Sequence, residues 1–396
     1  MHDPRVRGVL IGVAILELAL VLTLPAPPNP DKPGVTGGIR TAAAQLRGEG
    51  PPVDLVQDYY GARAISRGGD PYPILTGAYE SVGLDWHANH RSTHPPTAFL
   101  LVLPVARLPW EIAAAFWAAL MLAAIGIAWW ALGARPALAA ALAPLTIVWP
   151  PGAWSLGQLT PIWLLGVALA WRLRDRADAA GAAIGLASLT KLVPALSLVP
   201  FLVLGRWRVL RGFALVWAAA LLDLVALRPS VLGRYLSVAT SVGDEQAGRA
   251  ENAALLQAFW HHLGAAGVVA AVALVAAVLA TSIARLRSRR ELDEWTSCTW
   301  SWASVALLPI AWIYSLLPLV PALSLSLRRG GIVSRALVLF AIAVPLFVDP
   351  FGLPGAIRLA LATACVGLSL LVLAYARRPA TSRGSRAALR LGSTRR

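Results

Sequence analysis

Long apolar runs alternate with short basic segments along most of this chain. Six runs approach or reach the roughly 17–25 residues that cross a bilayer as a helix. They are residues 9–24, 112–132, 212–227, 268–283, 332–348 and 357–376. Because a chain in lipid must satisfy its backbone hydrogen bonds internally, runs of this length favour helices. The pattern predicts an all-α, polytopic transmembrane helical bundle.

Five shorter apolar stretches lie among these runs. They are residues 97–107, 136–149, 161–172, 181–190 and 194–204. At roughly 1.5 Å per residue each is too short to cross a bilayer alone, which predicts helices that stop partway. Such breaks are tolerated where the freed backbone is buried in protein or lines a cavity. We therefore expect a polar cavity within the bundle, with Lys191 at the break between the last two stretches.

Composition and charge agree with a membrane protein. The chain is 57% apolar and 14% charged, whereas soluble domains are about 45–50% apolar and about 25% charged. Its net charge of +15 comes from short basic segments between the apolar runs and from a basic carboxyl-terminal tail. Under the positive-inside rule these segments mark the cytoplasmic face, so we do not expect nucleic-acid binding.

This orientation predicts a large extracytoplasmic loop after the first helix, residues 25–96, and a second one at 228–257. Run 9–24 is interpreted as a retained helix, because the Pro-rich sequence after it lacks a clear signal-peptide cleavage pattern. Both termini then lie in the cytoplasm, which requires an even number of spans, and ten is the central estimate. Residues 1–376 are expected to form one domain in the plasma membrane, followed by a basic cytoplasmic tail, 377–396, that can touch lipid headgroups.

Two carboxylates stand out in the first loop. Asp54 and Asp58 lie in a stretch that predicts a short amphipathic helix ended by Gly68-Gly69. Residues four apart share a helix face, so the two charges repel slightly. The pair therefore indicates a role outside the helix, although an acidic pair can also simply solubilise a loop. The two tyrosines after Asp58 are expected to rest on the membrane surface.

Lys191 is an ionisable residue inside an apolar segment. Inserting such a charge into a membrane costs roughly 2.5–3.5 kcal/mol, so it needs a partner, and an anion is the natural one. Gln158 and Thr160 mark another break between apolar runs. His87, His90 and His94 invite a zinc hypothesis, but without a fourth ligand or a catalytic zinc pattern we predict no metal and no cofactor.

Several short motifs follow one another in an order that resembles a known family. They are Asp-Tyr and Gly-Gly-Asp-Pro-Tyr-Pro in the first loop, Pro-Pro before the next span, Gly-Gln at a helix break, Lys followed by Pro at a later break, and then Arg-Trp-Arg. Together they resemble the polyprenol-phosphate-mannose-dependent α-mannosyltransferases of glycosyltransferase family 87, which have the GT-C fold. The resemblance extends from about residue 53 to about residue 327.

The resemblance implies a membrane enzyme that moves a hexosyl residue, mannosyl above all, from a polyprenyl-phosphate donor to a glycolipid or cell-envelope glycan on the extracytoplasmic side. It implies that Asp58 is the catalytic base and that Lys191 neutralises the donor phosphate. The remaining residues expected to bind substrate are Asp54, His94, Gln158, Thr160, Asn252 and Tyr314. Tyr314 stands where the family has a histidine.

Other functions remain open from the sequence. Broken helices with an embedded lysine also describe a transporter or flippase of a lipid-linked or anionic substrate. Inverted repeats would be the sequence signature of such a carrier, and no convincing repeat relates the two halves of the chain. Mannose rests on the resemblance, so arabinofuranose or another lipid-linked sugar stays possible.

Overall fold

The computed structural model describes residues 52–84, 88–148, 157–247, 252–344 and 355–376. Within these ranges the chain is helical and has no strand, only an isolated antiparallel bridge between Ile74 and Arg91. The α-helices are α1 Val53–Arg67, α2 Leu75–Glu80, α3 Pro96–Val102, α4 Trp110–Ala131, α5 Pro136–Val148, α6 Thr160–Arg172, α7 Ala177–Thr190, α8 Val199–Val203, α9 Arg208–Leu227, α10 Val231–Ala247, α11 Leu255–Arg289, α12 Glu294–Ala306, α13 Val320–Arg329, α14 Ile332–Ala343 and α15 Gly355–Ala376. Three 3₁₀ segments, Val105–Arg107, Val193–Leu198 and Ile313–Leu319, connect helices.

Four of the described helices are long and apolar enough to cross a membrane: α4, α9, α11 and α15. They correspond to four of the six predicted long runs, and α11 is kinked at Gly264. Run 9–24 lies outside the described residues. Run 332–348 is described only in part, with α14 as its helix. The estimate of ten spans and the side of the membrane on which the first loop lies stay predictions.

The predicted helix breaks are confirmed. Helix α7 ends at Thr190, and Lys191 has an extended backbone before a 3₁₀ segment continues the chain. Helices α3 and α6 are 7 and 13 residues long. Both are shorter than the roughly 20 residues of a complete span.

Helices α7 and α9 cross at two glycines. A Cβ at Gly181 would lie 1.9 Å from the Val209 carbonyl oxygen, and one at Gly212 would lie 1.8 Å from the Asp178 carbonyl oxygen. No side chain fits at either position, so the backbones themselves are in contact. This crossing fixes α9 against the helix that carries Lys191 at its end.

The acidic helix α1 packs into the bundle. It ends as predicted at Gly68, which adopts φ 78°. Its residues Leu55, Asp58 and Tyr59 have at most 1% of their surface exposed. The Tyr59 hydroxyl donates to the Leu108 carbonyl at 2.7 Å, so the expectation that this tyrosine rests on the membrane surface is wrong. The tertiary fold gives it a hydrogen-bond partner inside the protein, which makes burial favourable.

The bundle has two chemically different ends. Helix α6 begins and helix α7 ends beside α1, and the loop between these two helices therefore lies at the opposite end. There Arg206 donates to the Arg174 carbonyl at 2.9 Å. Leu286 and Leu292 belong to the same apolar cluster as Val209, which brings the basic turn after α11 to this end too. Basic segments that are far apart in sequence thus gather at one end, as the positive-inside rule predicts.

Candidate active site

Asp58 forms a buried pair with His94. The His94 Nδ1 atom lies 2.7 Å from Asp58 Oδ1, and both side chains are at most 7% exposed. An ionised carboxylate can only accept, so Nδ1–H is the donor. The second carboxylate oxygen, Oδ2, is buried and has no hydrogen-bond partner among the described residues. A buried acceptor of this kind is costly to leave empty, which marks Oδ2 as a place for a hydroxyl group to bind.

Asp54 lies one helical turn before Asp58 and is held by glutamines. The Gln158 amide donates to Oδ2 of Asp54, and the Gln57 amide donates weakly to Oδ1 at 3.5 Å. Burial raises the pKa of Asp54, and the Gln158 hydrogen bond together with the charges of His94 and Lys191 opposes this rise.

Gly157 allows Gln158 to reach α1. Its φ of 74° is in the left-handed region, and a Cβ there would lie 2.7 Å from Leu55 Cβ and 2.8 Å from Pro52 Cβ. The Gly157 carbonyl also accepts from the Trp117 indole at 2.9 Å. Only glycine combines this conformation with such close approach. The Gly-Gln pair in the sequence is therefore the contact between the helix break and the acidic helix.

Lys191 completes a polar cluster with these residues. It is half-buried, and its ammonium interacts electrostatically with both Asp54 and Asp58. Its Nζ atom lies 5.7 Å from the centre of the Tyr314 ring, a cation–π distance. Tyr314 in turn interacts through its hydroxyl with the Gln158 side chain. Among the described residues Lys191 makes no direct ion pair, so its charge is only partly compensated inside the protein.

Thr160 lies at the first position of α6, two residues after Gln158. Its side chain is 2% exposed, and its hydroxyl has no hydrogen-bond partner within the described part of the chain. This hydroxyl is a further polar group without a protein partner beside the helix break.

Asn252 has a different environment from the other expected site residues. It is fully buried, its amide nitrogen donates to the Pro309 carbonyl at 3.0 Å, and its amide oxygen accepts from Ala254 and Ala311, each at 3.0 Å. The amide has no exposed surface for a sugar in this geometry. Instead it joins the start of α11 to the segment that leads into Tyr314.

No three His, Cys, Asp or Glu side chains gather as a metal-ligand set in the ranges that the structure describes. His87 lies outside these ranges. His94 is engaged with Asp58, and His90 Nδ1 faces the Arg91 carbonyl oxygen at 3.2 Å.

Two contacts in the cluster were not predicted from the sequence. His94 was expected to bind substrate, and the structure makes it the partner of Asp58, 36 positions away. The contact between Gly157 and α1 was not expected at all. A glycine before a polar residue at a helix break was the available signal, but it does not reveal which helix the glycine touches.

Comparison with known proteins gives one result. The family model of glycosyltransferase family 87 matches residues 93–309, just over half of the 396 residues. The matched segment includes His94, Gln158, Lys191 and Asn252, and the acidic helix α1 precedes it. No curated protein and no solved structure matches the chain. The chain therefore belongs to glycosyltransferase family 87, and with its long apolar helices it is a membrane glycosyltransferase.

Proposed function

We propose that this enzyme transfers a mannosyl residue from a polyprenyl-phosphate donor to a hydroxyl of a glycolipid or cell-envelope glycan. The observation that carries the proposal is the buried Asp58 carboxylate, with one oxygen held by His94 and the other without a protein partner. Beside it lies Lys191, a cation with no direct ion pair among the described residues. A base next to an anion-binding group is what transfer from a sugar phosphate requires.

In the proposed reaction, Asp58 Oδ2 accepts the proton of the acceptor hydroxyl. The acceptor oxygen forms a bond to the anomeric carbon of the sugar while the bond from that carbon to the phosphate oxygen breaks. The polyprenyl phosphate leaves with the bonding electrons, and Lys191 offsets the charge that grows on it. A phosphate needs little protonation to leave, so a single carboxylate suffices where a glycosidase uses two.

The remaining residues of the cluster have supporting roles in this proposal. His94 is a positioning residue that aims Asp58, because its Nδ1–H donates to Oδ1 of the carboxylate. Gln158 and Thr160 provide hydrogen bonds to sugar or phosphate, and Asp54 orders Gln158. Tyr314 positions the Lys191 ammonium. Asn252 does not hold the sugar in this proposal. It fixes the segment before Tyr314.

The proposal is tested with purified protein and a set of lipid-linked sugars. Polyprenyl-phosphate-mannose, polyprenyl-phosphate-glucose and polyprenyl-phosphate-arabinofuranose are offered with an envelope lipid extract, and labelled products are separated. Transfer from the mannosyl donor, with nucleotide-linked mannose inactive, is the expected result. Preferential transfer from another polyprenyl-phosphate sugar would show that the transferred sugar is not mannose. Transfer from nucleotide sugars alone would overturn the proposal that the donor is a polyprenyl phosphate.

A further inference from the structure

A polar cavity lies at the basic end of the bundle, away from the acidic cluster. It has a volume of about 370 Å³ and is lined by Arg174, Arg206 and Arg208 together with Asp175 and Trp207. The lining comes from the loop between α6 and α7 and from the turn before α9. Helix α7 separates this cavity from Lys191 by 14 residues, or roughly 20 Å. The two sites are therefore distinct.

The arginines of the cavity have defined partners within the protein. The Arg174 guanidinium lies 4.1 Å from the centre of the Trp171 ring and donates to the Trp171 carbonyl at 3.1 Å. Arg206 donates to the Arg174 carbonyl and lies only 3.9 Å from Asp175. The third arginine, Arg208, is paired with an aspartate at 2.8 Å. Two of the three guanidinium groups donate to backbone carbonyls, which do not cancel their charge, and Asp175 partly offsets the charge of Arg206.

Positive charge exceeds negative charge around the cavity. The adjoining segments 172–178 and 205–211 contain six arginines and two aspartates. Helices α7 and α9 both begin here, at Ala177 and Arg208, and neither has a side-chain cap. Uncapped first turns present backbone N–H groups to an anion. Guanidinium groups and helix N-termini together are the usual means of binding phosphate in proteins.

An exposed apolar surface leads away from the cavity along α9. Trp207 is 64% exposed, and along α9 Leu215 and Leu222 are 65% and 69% exposed. Because α9 is long and apolar enough to span a membrane, these side chains are placed to face acyl chains. Indole side chains are enriched at the boundary between lipid and water. The cavity therefore lies where a headgroup meets its acyl chains.

We propose that this cavity binds the phosphate of an anionic membrane lipid. The phosphate lies between Arg174 and Arg206 at the uncapped helix starts, Trp207 borders the glycerol region, and the acyl chains follow the exposed leucines of α9. The site goes beyond the proposed transfer reaction, since it lies at the other end of the bundle from Asp58 and Lys191.

The proposal is tested by native mass spectrometry of the full-length protein in detergent micelles. The probes are phosphatidylglycerol and phosphatidylcholine of the same chain length. We expect the parent to retain one phosphatidylglycerol in preference to phosphatidylcholine. Arg174→Gln with Arg206→Gln should weaken phosphatidylglycerol binding about tenfold, because it removes two charge-assisted contacts. The control pair Arg287→Gln with Arg335→Gln removes the same charge from exposed positions outside the cavity and should change binding by less than about twofold.

A gain-of-binding variant keeps the test decisive if the arginine variants fold poorly. Asp175→Asn removes the one acidic side chain among the described residues that line the cavity and should strengthen phosphatidylglycerol binding about threefold. Equal binding of the two lipids by the parent, equal losses in the cavity and control pairs, or weaker binding by Asp175→Asn would overturn the proposal. Full displacement of phosphatidylglycerol by millimolar inorganic phosphate would overturn the lipid assignment in favour of free phosphate.

Discussion

Lys191 lies at the point where a helix ends inside the bundle, and its charge is only partly compensated by Asp54 and Asp58. Lys191→Ala should weaken donor binding about 10- to 100-fold, the range expected for loss of a charge-assisted hydrogen bond to phosphate. Lys191→Arg keeps the charge in a different geometry and should fall between alanine and the parent. The affinities of the parent and the two variants are measured by binding of a labelled polyprenyl phosphate to purified protein. Arg67→Gln, which removes an exposed charge at the end of α1, is the matched control. A loss of donor binding in Arg67→Gln equal to that in Lys191→Ala would refute a specific role of Lys191 in binding the donor phosphate.

His94 is the second residue with a separable role. His94→Ala should lower kcat about tenfold while KM for the donor changes little, because Asp58 loses its one hydrogen-bond donor among the described residues. His94→Asn keeps a side-chain N–H near the position of Nδ1 and should recover part of kcat. Steady-state kinetics of the two variants distinguishes positioning from catalysis. A loss in His94→Asn as large as in Asp58→Asn would make the imidazole the base and Asp58 its orienting partner.

At the scale of the helices, local pattern predicted much of what is observed. The acidic helix, its end at Gly68 and the break at Lys191 follow from periodicity, glycine and the interruption of apolar runs. The burial of α1 could not be predicted from local pattern, because its apolar face is as compatible with a membrane surface as with a protein interior. The pairing of Asp58 with His94 also escapes local pattern, since it depends on how α1 packs on the segment before α3.

The contact between α1 and Gly157 gives a prediction at this scale. Gly157→Ala adds a Cβ that would lie 2.7 Å from Leu55 Cβ at a residue with φ 74°. The left-handed conformation alone costs about 1–2 kcal/mol for a non-glycine residue, and the clash adds to it. We expect a lower melting temperature and loss of activity, because Gln158 is pushed away from Asp54. Thermal unfolding in detergent measures the melting temperature, and a transfer assay measures the activity.

The control for this variant is Gly77→Ala in α2. A Cβ at Gly77 meets nothing within 4 Å, so this change should leave stability and transfer near the parental values. Equal behaviour of the two alanine variants would mean that the close approach of Gly157 to α1 does not matter for the site.

At the scale of the whole molecule, the acidic cluster and the basic loops occupy opposite ends of the bundle. If the basic end is cytoplasmic, a cysteine at Glu80 should react with an impermeant reagent added outside intact cells, and a cysteine at Arg176 should not. Both positions are exposed on the protein. The background lacks Cys298 and Cys365, the two native cysteines. Labelling of position 176 from outside, with protection of position 80, would reverse the orientation.

The central claim is that Asp58 removes the proton from the acceptor hydroxyl. The most direct test is the single-turnover rate of sugar transfer by Asp58→Asn with donor already bound. Loss of a general base typically lowers the rate about 10²- to 10⁴-fold, and donor binding should be kept because Lys191 is intact. Asp54→Asn, one turn away on the same helix, should lose much less. A single-turnover rate in Asp58→Asn close to that of the parent would contradict the claim.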